Sequence, residues 1–206
     1  MSKKIIFVDW DGTLSSSKFW HNLRNTNDNF AKKVDNFFSF EKQIVNSWMS
    51  GLLTSEYINK LISGISGISE HVLWMELILS CENMEIRSNT VDLIQKVRLD
   101  NFVILVTGNM DCFTRFTVPA LKLKDKFDLI VNSADVGYLK TDYNGKIFID
   151  CLKKFGINNI KQAYLIEDSL NTCNTFIELG GTAFKVNDIK ETDVYLEKIL
   201  MDDVVI

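Results

Sequence analysis

The amino-acid sequence predicts an α/β fold: a parallel sheet with helices on both faces, interrupted by a small all-helical insertion. Three observations carry this. Five short apolar runs are spread along the 206 residues. Amphipathic stretches of helical period separate the last four runs. Between the first run and the second, residues 15–84 hold no strand pattern.

The elements follow in order. The first run, IIFV at residues 5–8, ends in acidic residues. In the insertion, Phe30, Val34, Phe37, Phe38, Ile44, Trp48, Leu52, Leu53, Ile58 and Leu61 recur at roughly helical spacing, and Gly51, Gly64 and Gly67 mark turns. Residues 90–99 read as a helix leading to the second run, FVILV at 102–106, which ends in Thr107 and Gly108. A helix over 112–124 precedes the third run, 127–131, which Asp128 interrupts. A helix over 147–155 leads to the fourth, AYLI at 163–166, ending in Glu167 and Asp168. A helix over 169–179 leads to the weakest run, 182–186. Short runs that are apolar on both faces and rich in Val, Ile and Phe are the pattern of central parallel strands. The division predicted is a core of residues 1–14 and 85–206 and a helical insertion of 15–84.

Composition narrows the function classes. With 46% hydrophobic and 24% charged residues and a single proline, the chain is neither disordered, collagen-like nor a coiled-coil rod. A net charge of −4 argues against nucleic acid as the main partner. No apolar stretch approaches membrane-spanning length. The basic start is followed by an apolar run too short for a secretory signal, and Cys81, Cys112, Cys151 and Cys173 form no C-x-x-C pair. These features predict reduced, inert thiols in a cytoplasmic protein. Two histidines, His21 and His71, cannot build a His-rich zinc site.

Polar groups stand where the strands should end: Asp9 and Asp11, Thr107, Lys140 beyond the third strand, and Asp168. In an open parallel sheet, ligands bind outside the carboxyl ends of the strands, so these groups should converge. Asp9 and Asp11 lie two residues apart on extended chain and point to one side. Close like charges push one pKa up unless a cation intervenes. A Mg²⁺ ion would keep one carboxylate ionised and leave the other to carry a proton. Gly12 permits the sharp turn, and Trp10 should point away, into packing or towards the insertion. The alternative is an ordinary strand end followed by an Asp-Gly turn.

FVDWDGTL at residues 7–14 resembles the first motif of the haloacid dehalogenase-like (HAD) hydrolases of the phosphatase kind. VILVTGN (103–109), FDLIVNSADVGYLK (127–140) and LIEDS (165–169) are similar to the second, third and fourth motifs, in that order. SWMSGLLTSEYINKL (47–61) resembles the helical cap that one large branch inserts after the first motif. The resemblance implies a Rossmann-like core with a small helical cap domain, and a Mg²⁺-dependent phosphatase acting on a small phosphorylated metabolite.

It also implies roles. Asp9 would attack the phosphoryl group and become an aspartyl phosphate. Asp11 would protonate the leaving oxygen and then activate water. Dehalogenases of the family lack a second Asp at this place. Thr107 would bind a phosphoryl oxygen, helped by the backbone N–H groups of Gly108 and Asn109; a helix N-cap is its alternative role. Lys140 would neutralise the nucleophile and the transferring group. The family's proline after this lysine is missing here and extra residues follow, which leaves Lys146 as a second candidate. Asp168, the Asp9 carboxylate and the backbone carbonyl of Asp11 would hold Mg²⁺. Glu167 should point the other way along its strand, as a supporting group or a partner of Lys140. Phe19, Trp20 and His21 either face the leaving group or belong to the insertion's own core. A phosphomutase, or a non-catalytic phospho-signalling or phosphate-sensing module, would use much the same groups. Oligomeric state and the resting position of the cap are not legible.

Overall fold

A computed structural model describes residues 3–202; residues 1–2 and 203–206, at the outer ends of the predicted core, lie outside the described residues. The predicted sheet is present. Its strands are β1 (Ile5–Val8), β2 (Phe102–Thr107), β3 (Leu129–Asn132), β4 (Ala163–Glu167) and β5 (Thr182–Lys185). They lie in the order β3-β2-β1-β4-β5 and every pair is parallel. Ile5 stands opposite Phe102 on one side and Ala163 on the other. After β1 the chain builds one half of the sheet and then returns to build the other. The order therefore reverses at β1, which places a crevice at its carboxyl end.

Alternation along the strands divides the core in two. Ile5, Phe7, Ile104 and Val106 face one layer, covered by α10 (Lys146–Lys154) and α11 (Leu170–Glu178). There Phe7, Phe148 and Phe176 meet edge to face, with centroids 4.9–5.7 Å apart. Ile6, Val8, Val103 and Leu105 face the other layer, under α6 (Ser88–Asp100) and α12 (Glu191–Asp202). The sequence reading lacks α12, whose buried Thr192, Leu196 and Ile199 sit at helical spacing.

Five helices lie between β1 and α6: α1 (His21–Thr26), α2 (Asp28–Phe40), α3 (Lys42–Met49), α4 (Ser55–Ser66) and α5 (Glu70–Glu82). Asn27, Thr54 and Ser69 cap α2, α4 and α5 through their side chains. Trp20, Phe30, Val34, Trp48, Ile58, Leu73 and Leu77 are buried there, in one apolar cluster continuous with Val8, Leu105 and Phe113. The insertion is thus packed onto the sheet layer rather than held on a stalk. No described helix is long and apolar enough to cross a membrane.

Three expectations are corrected. Gly64 lies within α4, not at a turn, and Leu52 and Leu53, expected at helical spacing, lie in the connection between α3 and α4, where Leu52 is solvent-exposed. The single helix expected over 112–124 is broken into a π-helical turn (Phe113–Thr117), α7 (Val118–Ala120) and α8 (Leu123–Lys126). Pro119 lacks an N–H and crowds the preceding turn, which widens; Lys122 then turns left-handed at φ 49°. A short α9 (Ser133–Val136) follows β3.

Candidate active site

β1 ends at Val8, and the next N–H, that of Asp9, donates to the Ile166 carbonyl of β4 at 3.0 Å. Pairing with β4 therefore continues one residue beyond β1 and fixes the Asp9 backbone. Asp9 is almost fully buried, and Asp11 stands accessible at the mouth. Trp10 between them points into the core against Phe113, ring centroids 5.2 Å apart, as expected of a residue of opposite phase. Gly12 has φ +70°, and a Cβ there would collide with the Asp168 carboxylate. Only glycine lets the Asp168 carboxylate approach this loop so closely.

Lys140 reaches in from the segment after α9. Its buried Nζ lies 2.9 Å from Asp9 Oδ1 and 2.5 Å from Glu167 Oε2. Lys146, the second candidate, is on the outside, where it pairs with Asp150 and Tyr138. Burial alone would lower the pKa of Lys140, but the Asp9 and Glu167 charges outweigh it and raise the pKa. Thr107, at the end of β2, is buried and lines the cavity, and its Oγ1 has no hydrogen-bond partner among the described residues. A donor left without a partner at a strand end awaits an acceptor.

Asn109 plays a different part from the one expected. Its backbone N–H, predicted to face a phosphoryl oxygen, donates instead to Asn132 Oδ1 at 3.1 Å. The side chain does the positioning: Asn109 Nδ2 donates to Asp11 Oδ2 at 2.9 Å, and Oδ1 accepts the Met110 N–H at 2.9 Å. Asn132 is a residue the sequence reading missed. It lies at the carboxyl end of β3, so the rule that nominated Thr107 and Asp168 would have found it.

The carboxylates of Asp9, Glu167 and Asp168 lie within 4.8 Å of one another. Glu167 is already engaged on both sides: Oε2 by Lys140 and Oε1 by the Ser169 N–H at 3.0 Å. That leaves Asp9 and Asp168 as the carboxylates that could hold a cation. An all-oxygen set with few carboxylates fits Mg²⁺, which keeps several waters. The charge balance fits as well. Four carboxylates face one lysine here, and burial, then the charge of Glu167, pushes the Asp9 pKa up to about 7. Enclosure by the cavity walls, then the Asp9 charge, takes Asp11 to about 7; burial and Asp9 raise Asp168 too. A bound cation would reverse these shifts.

These groups form one end of a cavity of about 550 Å³. The insertion supplies much of the remaining wall, including Phe19, Phe38, Val45 and Met49. Phe19 therefore faces the cavity, whereas Trp20 is fully buried with its Nε1 donating to the Leu73 carbonyl at 3.0 Å. His21 is exposed on α1. A carboxylate after β2 joins insertion to core: Asp111 accepts from Trp48 Nε1 and from the Ser55 N–H, each at 3.1 Å, and from Ser55 Oγ at 2.5 Å. No sequence signal singled out Asp111, Arg24 or Asp35 as belonging here. The four cysteines are buried free thiols, and burial raises the pKa values of Cys112, Cys151 and Cys173, which keeps these protonated.

Comparison with solved structures finds the same architecture elsewhere. A HAD family enzyme from Bacteroides thetaiotaomicron, solved with magnesium and inorganic phosphate, is 20% identical with a TM-score of 0.68, over 91% of this chain and 96% of that one. A predicted HAD-like family hydrolase from Porphyromonas gingivalis is 15% identical with a TM-score of 0.69, over 96% and 98%. A 2-haloacid dehalogenase from Pseudomonas syringae pv. Tomato DC3000 is 15% identical with a TM-score of 0.63, over 89% and 86%. At such identities the likeness is one of fold. No curated protein sequence matches the chain. The family model of haloacid dehalogenase-like hydrolases matches residues 3–180, a span that takes in Asp9, Thr107, Lys140 and Asp168 together. With the strand order and the strand-end carboxylates already in place, that match makes the chain a member of the haloacid dehalogenase-like hydrolase family.

Proposed function

We propose that this hydrolase is a Mg²⁺-dependent phosphatase that cleaves a small phosphorylated metabolite through an aspartyl phosphate on Asp9. The observation that carries the reading is the Asp11 side chain, a second carboxylate in the same cavity, held by Asn109 and outside the Asp9–Glu167–Asp168 group. A halide leaves carbon without a proton, but an alkoxide leaving phosphorus needs one. An acid placed here has work to do in phosphate ester cleavage that carbon–halogen cleavage would not require of it. The Bacteroides structure with magnesium and phosphate points the same way.

In this mechanism Asp9, ionised, attacks phosphorus in line. Lys140 holds the attacking carboxylate and neutralises the transferring group, while the free Thr107 hydroxyl and the Gly108 N–H bind its oxygens. Asp11 gives its proton to the leaving oxygen and takes one back from the water that hydrolyses the acyl phosphate. Mg²⁺, held by Asp9, Asp168 and the Asp11 carbonyl, would supply charge neutralisation and orientation. Glu167 fixes Lys140 and stays out of the chemistry.

Residues 15–84 act as a cap over a core of 1–14 and 85–206. The two connections to the core lie side by side, Ser17 Oγ accepting the Glu85 N–H at 3.0 Å. The site is intracellular in this reading, with no membrane or nucleic acid as partner.

The test is phosphate release from a set of phosphorylated metabolites, with and without Mg²⁺. Metal-dependent release of free phosphate, lost in Asp9→Asn, is expected. Halide release from haloacids without phosphate release, or transfer of label to a second sugar hydroxyl rather than to water, would replace the reading.

A further inference from the structure

We infer that the cavity is built for phosphate monoesters whose leaving alcohol is largely apolar and carries a second anionic group, bound by Arg24. The inference rests on the phosphatase reading and names its substrate class.

A phosphoryl group fills only a small part of a 550 Å³ cavity. The leaving alcohol must meet the rest, where Phe19, Phe38, Val45, Met49, Met84 and Met110 contribute apolar surface. This face of six apolar side chains offers a hydroxyl group no strong hydrogen bond, although Ser17, Thr141, Ser169, Asn171 and Thr172 also line the cavity. A polyol bound against this face would lose hydrogen bonds to water without replacement. A ring or an aliphatic chain loses none, and the methionines adapt to its shape.

Arg24 interrupts this surface. Its side chain lines the cavity and is only 10% exposed, yet the guanidinium makes a single hydrogen bond among the described residues, to Asp35 Oδ1. A guanidinium carries five N–H donors in a planar fork. A fork nine-tenths buried and engaged at one donor is suited to a carboxylate or phosphate. Its partner Asp35 is 60% exposed, so the pair is open on the acid's side. Lys18 lines the same cavity and makes no ion pair among the described residues. With Lys18, Arg24 and Asp35 the insertion-side wall is net positive, opposite in sign to the carboxylate-rich end at Asp9. A substrate with one anion for each end matches this distribution; a neutral alcohol leaves Arg24 half satisfied.

The experiment compares Mg²⁺-dependent hydrolysis of phenyl phosphate, para-carboxyphenyl phosphate, hydroquinone bisphosphate and glycerol phosphate. The expected KM for the carboxylated or bisphosphorylated ring is about tenfold below that of phenyl phosphate, with glycerol phosphate the weakest. The two anionic rings show whether carboxylate or phosphate is preferred. Arg24→Gln should bring the ratio of anionic to neutral ring close to one. Asp35→Asn, which removes the competing acid, should keep or widen it. If Arg24 and Asp35 only strap α1 to α2, both substitutions will lower stability alike and leave the ratio of the unsubstituted protein, which overturns the inference. Equal KM values for all four esters overturn it too. Should Arg24→Gln not fold, inhibition of the unsubstituted protein decides: benzoate should compete with phenyl phosphate and neutral benzamide should not. Release from no ester overturns the phosphatase reading, whereas release without an anion preference overturns this inference alone.

Discussion

Asp9 and Arg24 line the same cavity, yet they are held in different ways. Asp9 hangs from β1, a strand paired on both sides, and its own N–H is fixed to β4. Arg24 sits on a helix of only six residues. That helix is anchored from its start, where Trp20 donates to the Leu73 carbonyl and Ser80 Oγ accepts the His21 N–H at 3.0 Å. The sheet end over-determines its carboxylates, and the insertion holds its charge by a few contacts. Reacting groups need positions fixed to within a fraction of an ångström, which paired strands supply. Groups that only select a substrate tolerate a looser mount. They can change without disturbing β1.

The most severe way to break this contrast is at its fixed end. Asp9→Asn should lower phosphate release by about three orders of magnitude or more, with circular dichroism unchanged. The same substitution should not destabilise the metal-free protein. Burial raises the folded-state pKa of Asp9 from 3.8 to about 7, and Asp11, at the accessible mouth, is raised in the same direction by the cavity walls and the Asp9 charge. Between these values the folded protein holds protons that the unfolded chain has released, so metal-free stability falls as pH rises from about 4 to about 7. Mg²⁺ should restore most where the loss is greatest, raising the thermal midpoint more at the alkaline end than at the acid end. A Mg²⁺-induced shift that shrinks with rising pH would contradict the assignment of Asp9 and Asp168 as ligands.

The same contrast explains what could be read in advance. Asp9, Thr107, Glu167 and Asp168 follow buried apolar runs, and a strand end is legible because the run stops there. Lys140 was nominated by its place beyond the third strand, but preferring it to Lys146 needed the family resemblance, since both stand in or after an irregular segment where no periodicity operates. Phe19 and Trp20 are adjacent aromatics with opposite fates. Helical spacing finds an apolar face but cannot tell whether it meets other side chains or an empty cavity. Arg24 and Asp35 were invisible for a related reason: charged residues on a helix are ordinarily solvated, and nothing local marks the one that turns inwards. The break at Pro119 was legible in principle, because proline inside a helical pattern is a boundary signal.

A smaller effect is expected at Asn109, which sharpens the contrast by testing position without removing a reacting group. Asn109→Ala frees Asp11 Oδ2 and should lower kcat by roughly tenfold to a hundredfold with KM little changed. Asn109→Asp keeps the shape but sets a carboxylate against Asp11, so its kcat should fall further. Equal effects of the two would mean that Asn109 acts through packing alone. Smaller again, and in stability rather than rate, is Asp111→Ala. It removes the acceptor shared by Trp48 Nε1 and Ser55, and should cost about 2 kcal/mol in denaturant unfolding. Because this bond joins insertion to core, the variant should also become more sensitive to proteolysis in residues 50–55.

The smallest expected effect falls on the lysine outside the cavity. Lys146 is 48% exposed and its charge is met by Asp150 one helical turn away, with Tyr138 beside it. An exposed pair of this kind contributes little to stability, because water screens it in the folded state and solvates both groups in the unfolded one. Lys146→Ala should therefore leave kcat, KM and the thermal midpoint close to those of the unsubstituted protein. Lys140→Ala strands Asp9 and Glu167 as buried, uncompensated acids and should abolish turnover. If Lys146→Ala instead lost activity while Lys140→Ala kept it, the segment after α9 would have to rearrange in solution. The contrast between a fixed sheet end and a more loosely held insertion would then fail at its third strand-end group.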